Sequence, residues 1–238
     1  MTDIFPNPNN AIITAVLIDG SFFLKRYPKV FRNRNNHSPE IIVENLELMV
    51  KRHVTHDYLY RALFYDCKPF VGKTHHIITG QHIDFAQTDL AIKRRAIFKE
   101  IATRRKFALR LGDVKPSYAW VINSRYTKDL IRGNIDVSAL TENDVKYEMR
   151  QKGVDIKIGI DIASLALKRL VNKIILVAGD SDFVPAAKLA RRNGIDIVLD
   201  PMWNHIAEDL NEHIDGLKST CPNPERPFDP QNYKYRIQ

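Results

Sequence analysis

Residues 173–199 are KIILVAGDSDFVPAAKLARRNGIDIVL. Residues 173–178 form an apolar run rich in Ile and Val, the pattern of a strand buried on both faces of a parallel sheet. The run stops at Gly179-Asp180. Residues 183–192 then carry helical spacing, Gly194 stands where a helix closes on a left-handed residue, and 196–199 is a second apolar strand. Strand, helix and strand in direct succession imply an α/β fold with a central parallel sheet flanked by helices. Ligands are expected at the carboxyl ends of its strands.

Upstream, a helix through 163–170 leads into this unit. Residues 11–18 are a second apolar run, rich in Ile and Val and ended by Asp19-Gly20, so Asp19 sits at a strand's carboxyl end. Residues 39–51 carry Ile42, Leu46 and Met49 at helical spacing, and 58–65 reads as the next strand. Residues 68–88 hold glycines, histidines and few periodic apolar positions, which predicts an irregular excursion. Residues 89–106 are expected as a helix, with short strands at 107–111 and 120–123. The organisation that follows is one domain over 1–218, with the excursion near 68–88, and an extended Pro-rich tail over 219–238.

The 238 residues are 44% apolar, enough for a sizeable core. The formal net charge is +8 and the pI about 9.4, a balance that favours a polyanionic partner such as nucleic acid. Cys67 and Cys221 match neither a zinc spacing nor a disulfide framework, so two reduced thiols and a cytoplasmic location are expected. No apolar run reaches the length of a membrane span, and MTDIFPNPNN lacks the regions of a signal peptide. No glycine-rich phosphate loop of either common kind is present, so no dinucleotide or nucleoside triphosphate cofactor is indicated.

Two strand ends carry acids, Asp19 on one and Asp180 with Asp182 on the other, and in a parallel sheet these ends share an edge. Converging carboxylates repel one another and lose hydration; a hard divalent cation such as Mg²⁺ or Mn²⁺ is the usual remedy. Each acid taken alone also suits a helix N-cap, Asp182 before Phe183 above all. As a set they are not explained that way, because Asp180 and Asp182 flank Ser181 and cannot both be the same cap.

The apolar strand ending in Asp19-Gly20, the block from Lys152-Gly-Val-Asp155 to Asp161, the run ending Ala-Gly-Asp180-Ser-Asp182-Phe and Gly194-Ile-Asp-Ile-Val together resemble the NYN domain of LabA-like proteins, a branch of the PIN-like nucleases. The resemblance spans most of 12–215. It implies a PIN-like α/β fold, Mg²⁺ or Mn²⁺ held by carboxylates, and an endoribonuclease that hydrolyses RNA phosphodiester bonds. Carried over, Asp19, Asp155, Asp180 and Asp182 are the catalytic, metal-binding acids, with Asp161 as a further metal-binding acid. Were Asp155 and Asp161 on one helix, six residues at about 100° each leave them roughly 120° apart, so Asp155 opens the helix and Asp161 supports or pairs. Family members commonly carry Asn two residues after the first Asp; here Ser21 stands there, with a hydroxyl able to orient water or phosphate.

For substrate binding, Ser21 and Ser181 are joined by basic residues. Between 91 and 110 there are eight Lys or Arg and one acid, Glu100. Lys93, Arg94, Arg95, Arg104 and Arg105 are the phosphate-tracking candidates there, with Arg110 at the segment's end. The alternative is an ordinary solvated face with Ile97, Ile101 and Phe107 pointing inward. Lys152 lies beside the second acidic block, with Lys146, Arg150 and Lys157 nearby. His75, His76 and His82 fit no strong zinc pattern, and Trp120 and Trp203 are assigned no role. RNA is the expected partner, DNA is not excluded, no membrane is expected, and a homo-oligomer is left open. Two rivals remain: a catalytically silent RNA-binding or interaction module of the same fold, and a haloacid-dehalogenase-type phosphatase. The phosphatase motif needs a second acid at the position of Ser21.

Overall fold

The structure is a computed structural model and describes residues 11–32 and 37–226. Its strands are β1 (Ile13–Asp19), β2 (Tyr58–Cys67), β3 (Lys73–His75), β4 (His82–Asp84), β5 (Phe107–Ile122), β6 (Val145–Lys152), β7 (Lys173–Val177), β8 (Asp196–Asp200) and β9 (Gly216–Leu217). Its helices are α1 (Gly20–Val30), α2 (Pro39–His53), α3 (Asp89–Thr103), α4 (Ser124–Ile131), α5 (Val154–Leu167), α6 (Val184–Arg192) and α7 (Glu208–Asn211). Seven strands follow the order β6-β5-β2-β1-β7-β8-β9, while β3 and β4 pair separately. The chain divides into two compact units, one of residues 1–66, 96–111 and 153–238, the other of 67–95 and 112–152.

In the first unit β1 pairs in parallel with β2 and β7, β7 with β8, and β8 with β9. This is the mostly parallel sheet expected from the apolar runs. Ala15, Val16, Leu17 and Ile18 have no solvent exposure, nor do Ile174, Leu176 and Val177, because central strands of a parallel sheet are covered on both faces. Each such Val, Leu or Ile side chain contributes about 1.5–3 kcal/mol by leaving water. The core is completed by Phe23 and Tyr27 from α1, Leu46 and Met49 from α2, and Ile97 and Ile101 from α3. The basic segment therefore does turn Ile97, Ile101 and Phe107 inward.

Local signals place the helix ends. Ser38 caps α2 by accepting from the Ile41 N–H at 3.4 Å, with Pro39 in the first turn. Gly194 (φ +78°) ends α6: its N–H reaches the Arg191 carbonyl and the Ile195 N–H reaches that of Ala190, the paired closure of a left-handed helix stop. The same logic did not find α1, whose 11 residues include Pro28 and whose cap is Asp19.

In the second unit β5 and β6 form an antiparallel ribbon and β3 and β4 a shorter one with His75 opposite His82. Segment 68–88 thus contains two strands and a short 3₁₀ turn, Phe85–Gln87. The two short strands expected at 107–111 and 120–123 are parts of one strand, β5, whose register against β6 shifts between Pro116 and Trp120. That irregularity, not a break, produced the gap in the pattern. Cys67 and Cys221 are both buried, and neither forms a disulfide. Of the tail expected over 219–238, Thr220 and Cys221 are buried, and residues from 227 onward lie outside the described residues, as does the amino-terminal stretch 1–10.

Candidate functional site: the acidic edge of the parallel sheet

Asp19 ends β1 half-buried and also caps α1, its Oδ1 accepting from the Phe22 N–H at 3.0 Å. Gly20 is required between strand and helix. A Cβ there lies 2.5 Å from the Phe64 ring and 2.7 Å from the Tyr65 carbonyl oxygen, so only glycine lets the turn approach β2. Asp19 is level with Tyr65 in the β1–β2 register, which puts Asp66 at the same edge. Asp66 is completely buried and accepts from the Ser21 hydroxyl at 3.2 Å. Sequence reading missed Asp66, although the rule that selected Asp19 and Asp180, an acid at the carboxyl end of a parallel strand, applies equally to Phe64-Tyr65-Asp66.

At the end of β7 a second glycine makes the turn. A Cβ on Gly179 lies 2.5 Å from the Phe22 ring, so this turn rests on the first turn of α1. Asp180 caps the 3₁₀ turn Ser181–Phe183 by accepting from the Asp182 N–H at 3.3 Å, and Phe183 anchors the turn in the core. The cap is therefore Asp180 and not Asp182, because the chain makes a 3₁₀ turn before α6 begins at Val184. Both carboxylates are exposed, and Ser181 between them is half-buried.

Asp155 stands in the first turn of α5, after Gly153 (φ +82°), and is exposed. Asp161 lies on the same helix but in other company: its Oδ2 accepts from the Tyr65 hydroxyl at 2.7 Å and from Arg110 Nε at 3.2 Å. Burial and the adjoining Asp161 carboxylate push the Tyr65 phenol up.

The electrostatics tie the separate turns together. Burial raises the Asp19 carboxyl above its ordinary range, and the negative charges of Asp155 and then Asp66 add to the rise, while the Phe22 and Ser21 N–H groups oppose it. Burial likewise raises Asp155, with Asp180 and then Asp182 contributing. Asp19, Asp155, Asp180 and Asp182 are thus brought within electrostatic reach, and Asp66 joins them.

Among the described residues, no group of three or more His, Cys, Asp or Glu side chains is arranged closely enough to hold a metal ion. The donor chemistry fits a hard divalent cation, since carboxylates that destabilise one another's charge are what such an ion neutralises. The side-chain positions do not form a finished cage.

The expected substrate contacts are spread over both units. Lys93, Arg94 and Arg95 belong to the second unit; Arg95 donates to the Ala86 carbonyl, and Arg94 lines a cavity described below. Lys152 is exposed at the end of β6, opposite Asp113. In the first unit Arg104 pairs with Glu100 at 3.6 Å and Glu47 at 3.8 Å, which fixes it on the helix face, while Arg105 is exposed.

A mostly parallel sheet flanked by helices, with acids gathered at the carboxyl ends of β1, β2 and β7, defines a PIN-like α/β fold. The chain belongs to the NYN domain family, whose model matches residues 62–216. The match includes Asp66, Asp155, Asp161, Asp180 and Asp182 and begins after β1, so Asp19 joins the site through the fold. Membership makes this a nuclease-type domain of the PIN-like kind, for which nucleic acid is the implied partner and a divalent metal the usual cofactor. No curated protein matches. A solved structure of a protein of unknown function from Vibrio parahaemolyticus is similar over 89% of this chain and 94% of its own, at 14% identity and a TM-score of 0.43. No helix among the described residues is long and apolar enough to cross a membrane.

Proposed function

We propose that this chain is a Mg²⁺- or Mn²⁺-dependent endoribonuclease of the cytoplasm that hydrolyses RNA phosphodiester bonds at the acidic edge. The observation that carries the reading is the gathering of carboxylates at the carboxyl ends of β1, β2 and β7 and in the first turn of α5, where burial raises Asp155 and Asp19 and the charges of Asp180 and Asp182 on the one, and of Asp155 and Asp66 on the other, add to the rise. Asp19, Asp155, Asp180 and Asp182 would hold the metal, which when bound lowers the pKa of a water and offsets charge on the leaving oxygen. The residues around them keep the donors in place. The Phe22 N–H holds Asp19, the Asp182 N–H holds Asp180, and Tyr65 with Arg110 holds Asp161 behind α5. A carboxylate left free of the metal would orient the attacking water.

A catalytically silent RNA-binding module is the second reading. It is favoured by Ser21, which stands where the resemblance to LabA-like proteins leads one to expect Asn. One assay separates the two: labelled structured RNA and single-stranded DNA incubated with Mn²⁺, Mg²⁺ or EDTA, with wild type beside Asp180→Asn. Metal-dependent cutting that disappears in the variant supports the nuclease, and the two substrates report the preferred nucleic acid. RNA binding without cutting in any metal supports the silent module.

A further inference from the structure

The second unit has an aromatic surface for which the acidic edge gives no reason. Phe70, Phe85, Tyr147, Trp120 and His76 form a continuous row of rings, with centroid separations of 5.4, 5.2, 5.5 and 4.6 Å along it. All five are only half-buried, so the row is not a closed core. The β5–β6 register puts Val114, Pro116 and Trp120 on one face of the ribbon with Gln151, Met149 and Tyr147. Against this face lies a cavity of about 440 Å³, lined among others by Phe70, Phe85, Ala91, Arg94 and Met149. That volume falls within the range of roughly 300–1,000 Å³ typical of small-ligand sites.

Two local features maintain the surface. Gly72 lets the Phe70 ring fold over the chain, since a Cβ there lies 2.4 Å from a ring carbon. The β5 irregularity holds Tyr118 at φ +57° and 81% exposed, a left-handed backbone that a bulky residue adopts only at a cost and that aims an aromatic ring into solvent. The unit is basic as well, with twelve Lys or Arg against eight Asp or Glu in residues 67–95 and 112–152. Half-exposed rings, a cavity with an arginine in its wall and a positive charge balance suit an unstacked nucleobase on a phosphate backbone.

We propose that this cavity takes an unpaired base of single-stranded RNA, stacked on Phe70 or Phe85 beside Arg94, and that the second unit selects single-stranded segments for the domain. The proposal rests on the nucleic-acid reading above but not on cleavage. Its test is therefore binding in EDTA with the full chain: fluorescence anisotropy at fixed salt with a short single-stranded RNA, the same strand with abasic positions, and the corresponding duplex. The abasic strand keeps the phosphates and removes the rings. The expected result is a Kd about 5- to 150-fold weaker for the abasic strand and the duplex, the range set by stacking of one base. Ala91→Phe, which fills the cavity from α3, brings intact-strand binding to the abasic level and leaves abasic binding unchanged, with the circular dichroism spectrum retained. Equal affinity for intact and abasic strands overturns the proposal, with no variant involved. Asp180→Asn keeps the preference for intact strands while losing cleavage. Cleavage by a wild type that shows no base preference therefore removes the cavity's role and leaves the nuclease standing.

Discussion

Tyr65→Phe removes one hydroxyl and tests what Asp161 is for. Tyr65 is completely buried, and its hydroxyl donates to Asp161 Oδ2 at 2.7 Å. A hydrogen bond to a charged group contributes about 1.5–3 kcal/mol. The other donor, Arg110, has its side chain 43% exposed and that of Asp161 is 25% exposed, so this ion pair is screened and contributes at most about 1 kcal/mol. For a chain of this size 1 kcal/mol moves Tm by roughly 2–4 °C. Tyr65→Phe is thus expected to lower Tm by about 3–12 °C, and Arg110→Gln by about 4 °C at most. Because its Oδ2 is already engaged by two donors, Asp161 acts as a clamp between β2, β5 and α5. Asp161→Asn should keep whatever rise in Tm Mn²⁺ gives the wild type, whereas Asp180→Asn should lose it. Differential scanning fluorimetry with and without Mn²⁺ reads all four variants. A shift below about 1 °C for Tyr65→Phe refutes the energetic reasoning, and loss of the Mn²⁺ response in Asp161→Asn refutes the clamp.

The raised carboxyls of Asp19 and Asp155 set a pH dependence. Their contribution to stability is fully present below the unfolded value near 3.9 and is lost as pH rises through the raised folded values. In EDTA, denaturation midpoints should therefore fall across that window, and Asp155→Asn should flatten the fall; an unchanged profile in the variant contradicts the electrostatic coupling. Gly20→Ala drives a methyl against the Tyr65 carbonyl, a backbone atom that cannot swing aside, and is expected to cost about 1–3 kcal/mol and roughly 100-fold in cleavage rate. Gly159→Ala on α5, whose Cβ meets nothing within 4 Å, serves as the control and should stabilise by about 0.4–1 kcal/mol in urea titration. Ser21→Ala takes a donor from the buried Asp66 and should destabilise by about 1–3 kcal/mol, while Ser21→Asn, which restores an amide donor, should cost less in the same titration.

The parallel core was legible because burial on both faces writes itself as continuous apolar runs, at 11–18 and 173–178, and because Asp-Gly and Gly-Asp punctuate their ends. The second unit was less legible. Its ribbons are half-exposed, so alternation is weak, and the shift between Pro116 and Trp120 broke β5 into two apparent pieces. Within the site, α5 contains both Asp155 and Asp161, and of the two Asp161 is the one engaged by Tyr65 and Arg110. Asp66 escaped because the second strand was expected to stop at 65, one residue before it. Tyr65 was invisible as a partner for Asp161, because a residue 96 positions away is found only through the fold.

Burial first, and then the neighbouring carboxylates, raise Asp19 and Asp155 at this edge. Carboxylates brought to a common edge by β1, β2 and β7 repel one another. Freedom is unequally distributed among them. Asp19 and Asp180 are tethered by backbone N–H groups of the turns they cap, and Asp66 is fully buried against Ser21. Asp155 and Asp182 are exposed and stand in the first turn of α5 and in the Ser181–Phe183 turn, where a change of rotamer meets little resistance. In the proposed metal site, Asp155 and Asp182 would be the side chains that swing to meet an ion, with no movement of the sheet. The ordering cost is that of two short aspartates, far smaller than the charge repulsion a divalent ion relieves. Under that proposal the tethered acids would fix where the ion sits, and the exposed acids would let it enter and leave.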